Sequence, residues 1–179
     1  AISTDIPVVV GGYTGRLGRG SAVRAILQAA LDLKAQAVML LDAHTTSITS
    51  NWIPALANPI LERQADMILP RYRWPLPDGG LSDLIFYPLT RALWGRSLRQ
   101  PGSGDCSLSP TLAKMVIEQD VWGTEVTAYG FEVWLSNLIL SDEENEWRVG
   151  QVDLGEKSYR ARPHRRHFRN IPLQYRTVL

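Results

Sequence analysis

Two side chains near the first quarter of the chain have types and spacing that could do chemistry. Asp42 and His44 close the run Val38-Met39-Leu40-Leu41-Asp42-Ala43-His44. Its four leading apolar residues are too few for a helix and have no polar face. Val38 to Leu41 therefore reads as a strand buried on both sides, as in a parallel sheet. Side chains alternate along a strand, so Asp42 and His44 point the same way and Ala43 the other. A carboxylate and an imidazole can thus converge on one small volume, and open α/β sheets bind ligands beyond the carboxyl ends of their strands. The competing reading is an Asp that caps the following turn, with His44 on the surface of that turn.

Upstream lies a second feature with chemical capacity, the loop Gly11-Gly12-Tyr13-Thr14-Gly15-Arg16-Leu17-Gly18-Arg19-Gly20-Ser21. It joins a β-branched run, Ile6 to Val10, to an amphipathic helix with Val23, Ile26, Leu27, Ala30 and Leu31 on one face and Ser21 as N-cap. Strand, glycine loop and helix form an arrangement that can cradle phosphate, because free N–H groups and the helix dipole face the loop. Ser21-Ala22 stands where a Walker loop requires Lys-Ser/Thr, and the glycine spacing does not fit the dinucleotide fingerprint. Taken alone, the loop is either an anion site or a surface connection.

The elements that must position these groups follow in order. Trp52 to Gln64 is a helix with Trp52, Ile53, Leu56, Ile60 and Leu61 inward and a kink at Pro59. Met67 to Leu69 is a further buried strand, leading into a proline and glycine loop with Arg71 and Arg73. Leu81, Leu84, Ile85, Leu89, Leu93 and Trp94 form a helical stripe expected to pack on the core. Pro101 to Cys106 is turn-rich, and Ser109-Pro110 starts a helix carrying Leu112, Met115 and Val116. Phe131, Trp134, Leu135, Leu138 and Ile139 face inward from another helix, whose first-turn Glu132 is favoured there by the helix dipole. Trp147 to Arg160 alternates as one or two strands broken at Gly150 and Gly155.

These elements predict an α/β fold, a mostly parallel sheet flanked by helices. A βαβ sheet whose first helix begins near residue 21 is expected to lack an earlier N-terminal strand. Residues 1–165 form the expected domain, and 166–179 a basic tail that folds over the sheet or serves a homodimer. With 19 Lys and Arg against 18 Asp and Glu, net charge gives no reason to expect nucleic acid or a membrane surface. Arg160 to Arg169 holds five arginines and two histidines, but Phe168 is the only aromatic among them, against an RNA-binding module. No apolar run reaches the roughly 20 residues of a membrane helix. The single cysteine, Cys106, rules out an internal disulfide and fits a reducing compartment, the cytoplasm by default.

Several short segments recur in a familiar order: Arg19-Gly20-Ser21-Ala22, Leu40-Leu41-Asp42-Ala43-His44, Gly79-Gly80, Gln100-Pro101 with Gly104-Asp105, Tyr129-Gly130-Phe131-Glu132, and Val152-Asp153-Leu154-Gly155 with Arg160 and Arg162-Pro163. Over roughly residues 8 to 165 the chain resembles GT-A-fold glycosyltransferases of the glucosyl-3-phosphoglycerate synthase and mannosylglycerate synthase type. That resemblance implies a hexose moved from a nucleoside-diphosphate sugar to a small anionic acceptor, such as a glycerate or phosphoglycerate, with retention at the anomeric carbon. It places Gly18, Arg19, Gly20 and Asp42 on the donor, Arg19 standing where the family has a lysine. Asp42 and His44 would bind Mg²⁺ or Mn²⁺, His44 replacing the second aspartate of the family's Asp-x-Asp. Glu132 and Asp105 would be the catalytic groups that orient acceptor hydroxyls. Arg71, Gly104, Asp105, Tyr129, Gly130 and Arg162 would line the acceptor side. Tyr159 stands where the family has a late metal-binding histidine. Those two replacements also leave open a glycosyltransferase-like binding or regulatory protein without turnover.

Overall fold

The computed structural model describes residues 7–73, 82–128 and 130–159. Within them four strands form one sheet, β1 (Val38–Leu40), β2 (Met67–Arg73), β3 (Cys106–Leu108) and β4 (Val149–Glu156), in the spatial order β1-β3-β2-β4. β3 runs antiparallel to both neighbours, whereas β2 and β4 pair in parallel. Three strands therefore point one way and β3 alone the other. The consequence for the site is direct: β3 begins at the end of the sheet where the other three finish.

Helices cover both faces. α1 (Arg19–Asp32), α4 (Pro110–Ile117) and α5 (Phe131–Ser141) pack on one face through Val23, Leu27, Leu112, Val116, Phe131 and Leu135. These meet Val38, Leu40, Met67, Leu69, Cys106 and Leu108 in the larger core. α2 (Trp52–Leu61) covers the opposite face, where Leu56 and Ile60 meet Ile68, with Met39, Leu41, Val152 and Leu154 alongside. The alternation of Val38, Met39, Leu40 and Leu41 between the two clusters is the strand periodicity realised. Ser107, on the α2 face, bonds the Leu56 carbonyl, which ties α2 to β3 at 2.5 Å.

Local chemistry explains most element ends. Ser109 caps α4, its hydroxyl accepting the Leu112 N–H at 3.2 Å, with Pro110 in the first turn. α1 starts two residues before the expected cap, so Ser21 is a buried position inside the helix and Gly18 precedes it. β2 and β4 share a bulge at Leu154, where the register steps from Arg71–Asp153 to Tyr72–Gly155. β4 thus runs unbroken through Gly150 and Gly155 instead of splitting there.

Other expectations are not met among the described residues. The described part of the run Ile6 to Val10 forms no strand and leaves Val8, Val9 and Val10 exposed, because no other described strand lies alongside it. In the stripe expected to face the core, Leu84 is 78% exposed and Leu93 is also exposed. A π-helical turn at Ser82–Phe86 precedes α3 (Tyr87–Trp94) and rotates the helix, so Phe86, Tyr87 and Thr90 are buried instead. Ile53, Leu61 and Ile26 likewise lie on exposed helix faces. Residues 74–81, with Leu81 of the expected stripe, Tyr129 and everything from Arg160 onward, including Arg162, His164 and His167, lie outside the described residues.

Candidate active site at the strand ends

Leu40 pairs with Cys106, so the residues just beyond β1 and just before β3 lie side by side. This register brings Asp42 to Asp105 across 63 residues of sequence, and the Asp42 N–H donates to Asp105 Oδ1 at 2.6 Å. Asp105 is 1% exposed. Its other oxygen, Oδ2, accepts the Tyr72 hydroxyl at 2.7 Å and forms an ion pair with the buried ammonium of Lys157. Tyr72 leaves β2 and Lys157 follows β4, so the four strands contribute one group each to a single knot. Burial and the adjacent Asp105 charge hold the Tyr72 phenol well above its ordinary range, so it remains a donor.

Above this knot sits Asp42, its side chain 16% exposed and that of His44 53% exposed. Asp42 Oδ1 accepts the His44 backbone N–H at 2.9 Å and lies 3.0 Å from His44 Nδ1. Both sequence readings are therefore realised: Asp42 closes its own turn, and it converges with the imidazole. Burial alone would raise the Asp42 carboxyl, but hydrogen bonds from His44 and the charges of Arg19 and Lys157 outweigh it and hold the group below the usual carboxylate range. Asp42 is thus an anion at neutral pH.

The cation beside it comes from α1. Arg19 forms an ion pair with Glu132 of α5 through Nε and donates through Nη2 to the Gly104 carbonyl. Burial would lower its pKa, yet the charges of Glu132, Asp42 and Asp105 raise it above the ordinary value. A Cβ on Gly104 would meet Arg19 Nη2 at 3.4 Å and Asp42 Oδ2 at 4.0 Å, so the guanidinium and the carboxylate flank this one residue. Gly104 holds φ +80°, a left-handed conformation in which glycine alone is unstrained. Gly130, with φ 92°, makes the same allowance at the start of α5 and aims Glu132 back at Arg19.

Gly18 and Gly20 are packed closely against backbone. A Cβ on Gly18 would lie 2.4 Å from the Thr127 carbonyl oxygen, and one on Gly20 would lie 2.6 Å from the Thr127 Cα. Their bare backbone lets the first turn of α1 press against the turn at Glu125–Thr127, which fixes where Arg19 points. Arg71, by contrast, stands exposed and pairs with Asp153 across the β2–β4 edge at 3.2 Å. Among the described residues it has no hydrogen bond or ion pair to Asp42, Arg19 or Glu132.

Tyr72 and Lys157 escaped the sequence reading. Tyr72 carried a usable signal, since Arg71-Tyr72-Arg73 continues the alternation of β2 and turns the aromatic inward. Lys157 carried none. It follows Glu156 in a charged segment and looks like any solvated lysine until β4 is placed beside β2.

No protein-family model matches this chain, and neither does any curated protein. Solved structures do. Glucosyl-3-phosphoglycerate synthase from Mycobacterium tuberculosis, in complex with Mn²⁺, UDP and glucosyl-3-phosphoglycerate, aligns with a TM-score of 0.69 and 24% identity over 93% of this chain and 55% of that one. The same enzyme with Mn²⁺, UDP-glucose and phosphoglyceric acid gives 0.68 and 23%, over 93% and 55%. Its complex with Mg²⁺ and UDP gives 0.67 and 25%, over 92% and 53%.

The chain has a GT-A fold. It spans little more than half the length of these structures. In this GT-A sheet the Asp42–His44 pair occupies the carboxyl end of β1, as its sequence position implied. The 3.0 Å between Asp42 Oδ1 and His44 Nδ1, a hydrogen bond here, is also the separation of adjacent ligands around a small divalent ion with bonds of about 2.1 Å, which would bind with loss of the Nδ1 proton. One hard anionic oxygen and one imidazole suit Mn²⁺ better than Mg²⁺. Among the described residues no cluster of three or more His, Cys, Asp or Glu side chains that could hold a metal ion forms.

Proposed function

We propose that this chain is a nucleotide-sugar-dependent glycosyltransferase that moves a hexose to a small anionic acceptor with retention. The observation that carries the reading is the placement of an ionised Asp42 at a strand end, 3.0 Å from His44 Nδ1, with its carboxylate and the Arg19 guanidinium both beside Gly104. The aligned enzyme, crystallised with Mn²⁺ or Mg²⁺, with UDP or UDP-glucose, and with phosphoglyceric acid or glycerol 3-phosphate, supports the substrate classes.

Chemically, sugar transfer breaks the bond between the anomeric carbon and the diphosphate and forms one to an acceptor oxygen, so negative charge grows on the departing diphosphate. Asp42 and His44 would hold a divalent ion, Mn²⁺ or Mg²⁺, which when bound neutralises that charge as a Lewis acid. Arg19 adds a fixed cation on the same side, preorganised by its ion pair with Glu132. Glu132 is the group we place at the acceptor, with Gly104 and Gly130 giving the backbone around it. Tyr129, Arg162 and Arg71 are proposed contributors to binding the acceptor's anionic group. Asp105, assigned from sequence to touch the acceptor, is instead a buried support: both oxygens are engaged, and it acts through the Asp42 backbone.

A binding or regulatory protein without turnover is the second reading, favoured by the lack of a three-ligand metal cluster among the described residues. One experiment decides. The purified protein is incubated with UDP- and GDP-hexoses, Mn²⁺ and either glycerate or phosphoglycerate, and released nucleoside diphosphate is measured. Transfer that is lost on chelation and in Asp42→Ala supports the enzyme. Metal-independent donor binding without product supports the second reading, and no binding of either metal or donor overturns both.

A further inference from the structure

Lys157 is a fully buried cation that the chemistry above leaves without a role. Its ammonium donates to the Ser103 carbonyl at 3.0 Å and pairs with Asp105 Oδ2. It lies over the rings of Tyr72 and Tyr159, 4.6 and 4.9 Å from their centroids. Burying such a pair costs desolvation on both partners, and an apolar pair of the same volume would pack there at no electrostatic cost. What the pair provides is orientation. With Oδ2 held by Lys157 and Tyr72, Asp105 can present only Oδ1 to the Asp42 N–H. The segment carrying Lys157 is also stitched to the Asp42 turn, through Thr46 N–H to the Ser158 carbonyl at 2.9 Å and Ser158 N–H to Ser47 Oγ at 3.0 Å.

We propose that Lys157 is a positioning residue that sets the Asp42–His44 pair for a divalent cation by fixing the Asp105 carboxylate beneath it. The inference rests on the reading of Asp42 and His44 as cation donors. It gives the exit of β4 a part in the site without any contact to substrate. The aromatic pair completes the device: Tyr72 and Tyr159 give the ammonium two π faces in place of water.

The test is Mn²⁺ binding, read by the loss of the free-ion electron paramagnetic resonance signal, with no sugar present. Lys157→Met leaves the Asp105 charge buried alone and can unfold the protein. The paired variant Lys157→Met with Asp105→Asn removes both charges and keeps an oxygen for the Asp42 N–H. Expected is a thermal midpoint near wild type with Mn²⁺ affinity weakened about 10- to 100-fold, the range for losing a ligand's supporting contact. A paired variant that binds Mn²⁺ like the wild type, while Asp42→Ala abolishes binding, overturns the role of Lys157 and leaves the cation site standing. A wild-type protein that binds no Mn²⁺ overturns the cation site and this inference together.

Discussion

Asp105 Oδ1 receives the backbone N–H of Asp42 at 2.6 Å, so the residue that offers its carboxylate to the site is held by its main chain to a second, buried carboxylate. The arrangement predicts that Asp105 matters for the fold before it matters for chemistry. Asp105→Ala removes the counter-charge of Lys157 and the acceptor of the Tyr72 hydroxyl in one step. Removing one partner of a buried ion pair costs about 3–5 kcal/mol. Urea denaturation should show a loss of that order, whereas Tyr72→Phe, which deletes one neutral donor, should cost about 1 kcal/mol. Equal and small effects would show that the knot at the strand ends contributes little to stability.

Glycines in the first loop divide into two groups with opposite predicted tolerance. Gly11 and Gly12 have open space where a Cβ would go, and Gly12→Ala should change stability by less than about 0.5 kcal/mol. Gly20→Ala would drive a methyl group to 2.6 Å from the Thr127 Cα, backbone that cannot swing aside. Overpacking of that kind costs about 1–3 kcal/mol and should displace Arg19, so donor affinity falls along with the thermal midpoint. Thermal melts of the two variants side by side check this. A Gly20→Ala protein as stable as Gly12→Ala would return the loop to the role of an ordinary surface connection.

Acid sensitivity should trace to an ion pair remote from the site. Arg148, at the entrance to β4, forks onto Asp66 with Nε to Oδ2 at 2.9 Å and Nη2 to Oδ1 at 3.1 Å, while its backbone N–H meets Oδ2 at 3.1 Å. Hydrogen bonds from Arg148 lower the Asp66 pKa against a smaller opposing effect of burial. Because the folded value lies below the unfolded one, the stabilisation is complete above the ordinary aspartate pKa of about 3.9 and is lost as pH falls through the folded value. Thermal midpoints measured from pH 7 down to pH 3 should therefore fall less steeply in Asp66→Asn than in the wild type. Parallel acid limbs would place the sensitivity elsewhere.

The ease of reading Asp42 and the difficulty of reading β3 have the same origin. Val38 to Leu41 is apolar without a break, and a carboxylate two residues from an imidazole at its end states its own geometry. β3 is Cys106-Ser107-Leu108, three residues inside a turn-rich passage, with no alternation to count and a central serine that bonds across to α2. Its strand character comes from two neighbours far away in sequence. Leu84 and Leu93 of the helical stripe failed in the other direction: the period was helical, but with a π-helical turn at Ser82–Phe86 ahead of α3 the buried positions are Phe86, Tyr87 and Thr90. Periodicity reports that a face exists and leaves its direction to the packing. Lys157 shows the limit, since only the parallel pairing of β2 with β4 turns a lysine in a charged segment into a buried counter-ion.

Arg19 offers the sharpest test of how the site handles a diphosphate. Its guanidinium makes two contacts in different directions, Nε to Glu132 and Nη2 to the Gly104 carbonyl, and among the described residues Nη1 has no partner. A planar fork can hold both partners and still present a third donor edge, which a single ammonium cannot do. Arg19→Lys keeps the charge, so a role as simple counter-charge predicts little change. On the geometry seen here, lysine must abandon either Glu132 or Gly104 to face the donor, and the loss of one charge-assisted hydrogen bond is worth about 1.5–3 kcal/mol. Donor KM should accordingly rise about 10- to 100-fold in Arg19→Lys, with acceptor KM rising as well because Glu132 loses its anchor. Steady-state kinetics with each substrate varied in turn distinguish the outcomes. A variant with both KM values unchanged would mean that the ion pair with Glu132 is structural and that the diphosphate is held by other groups.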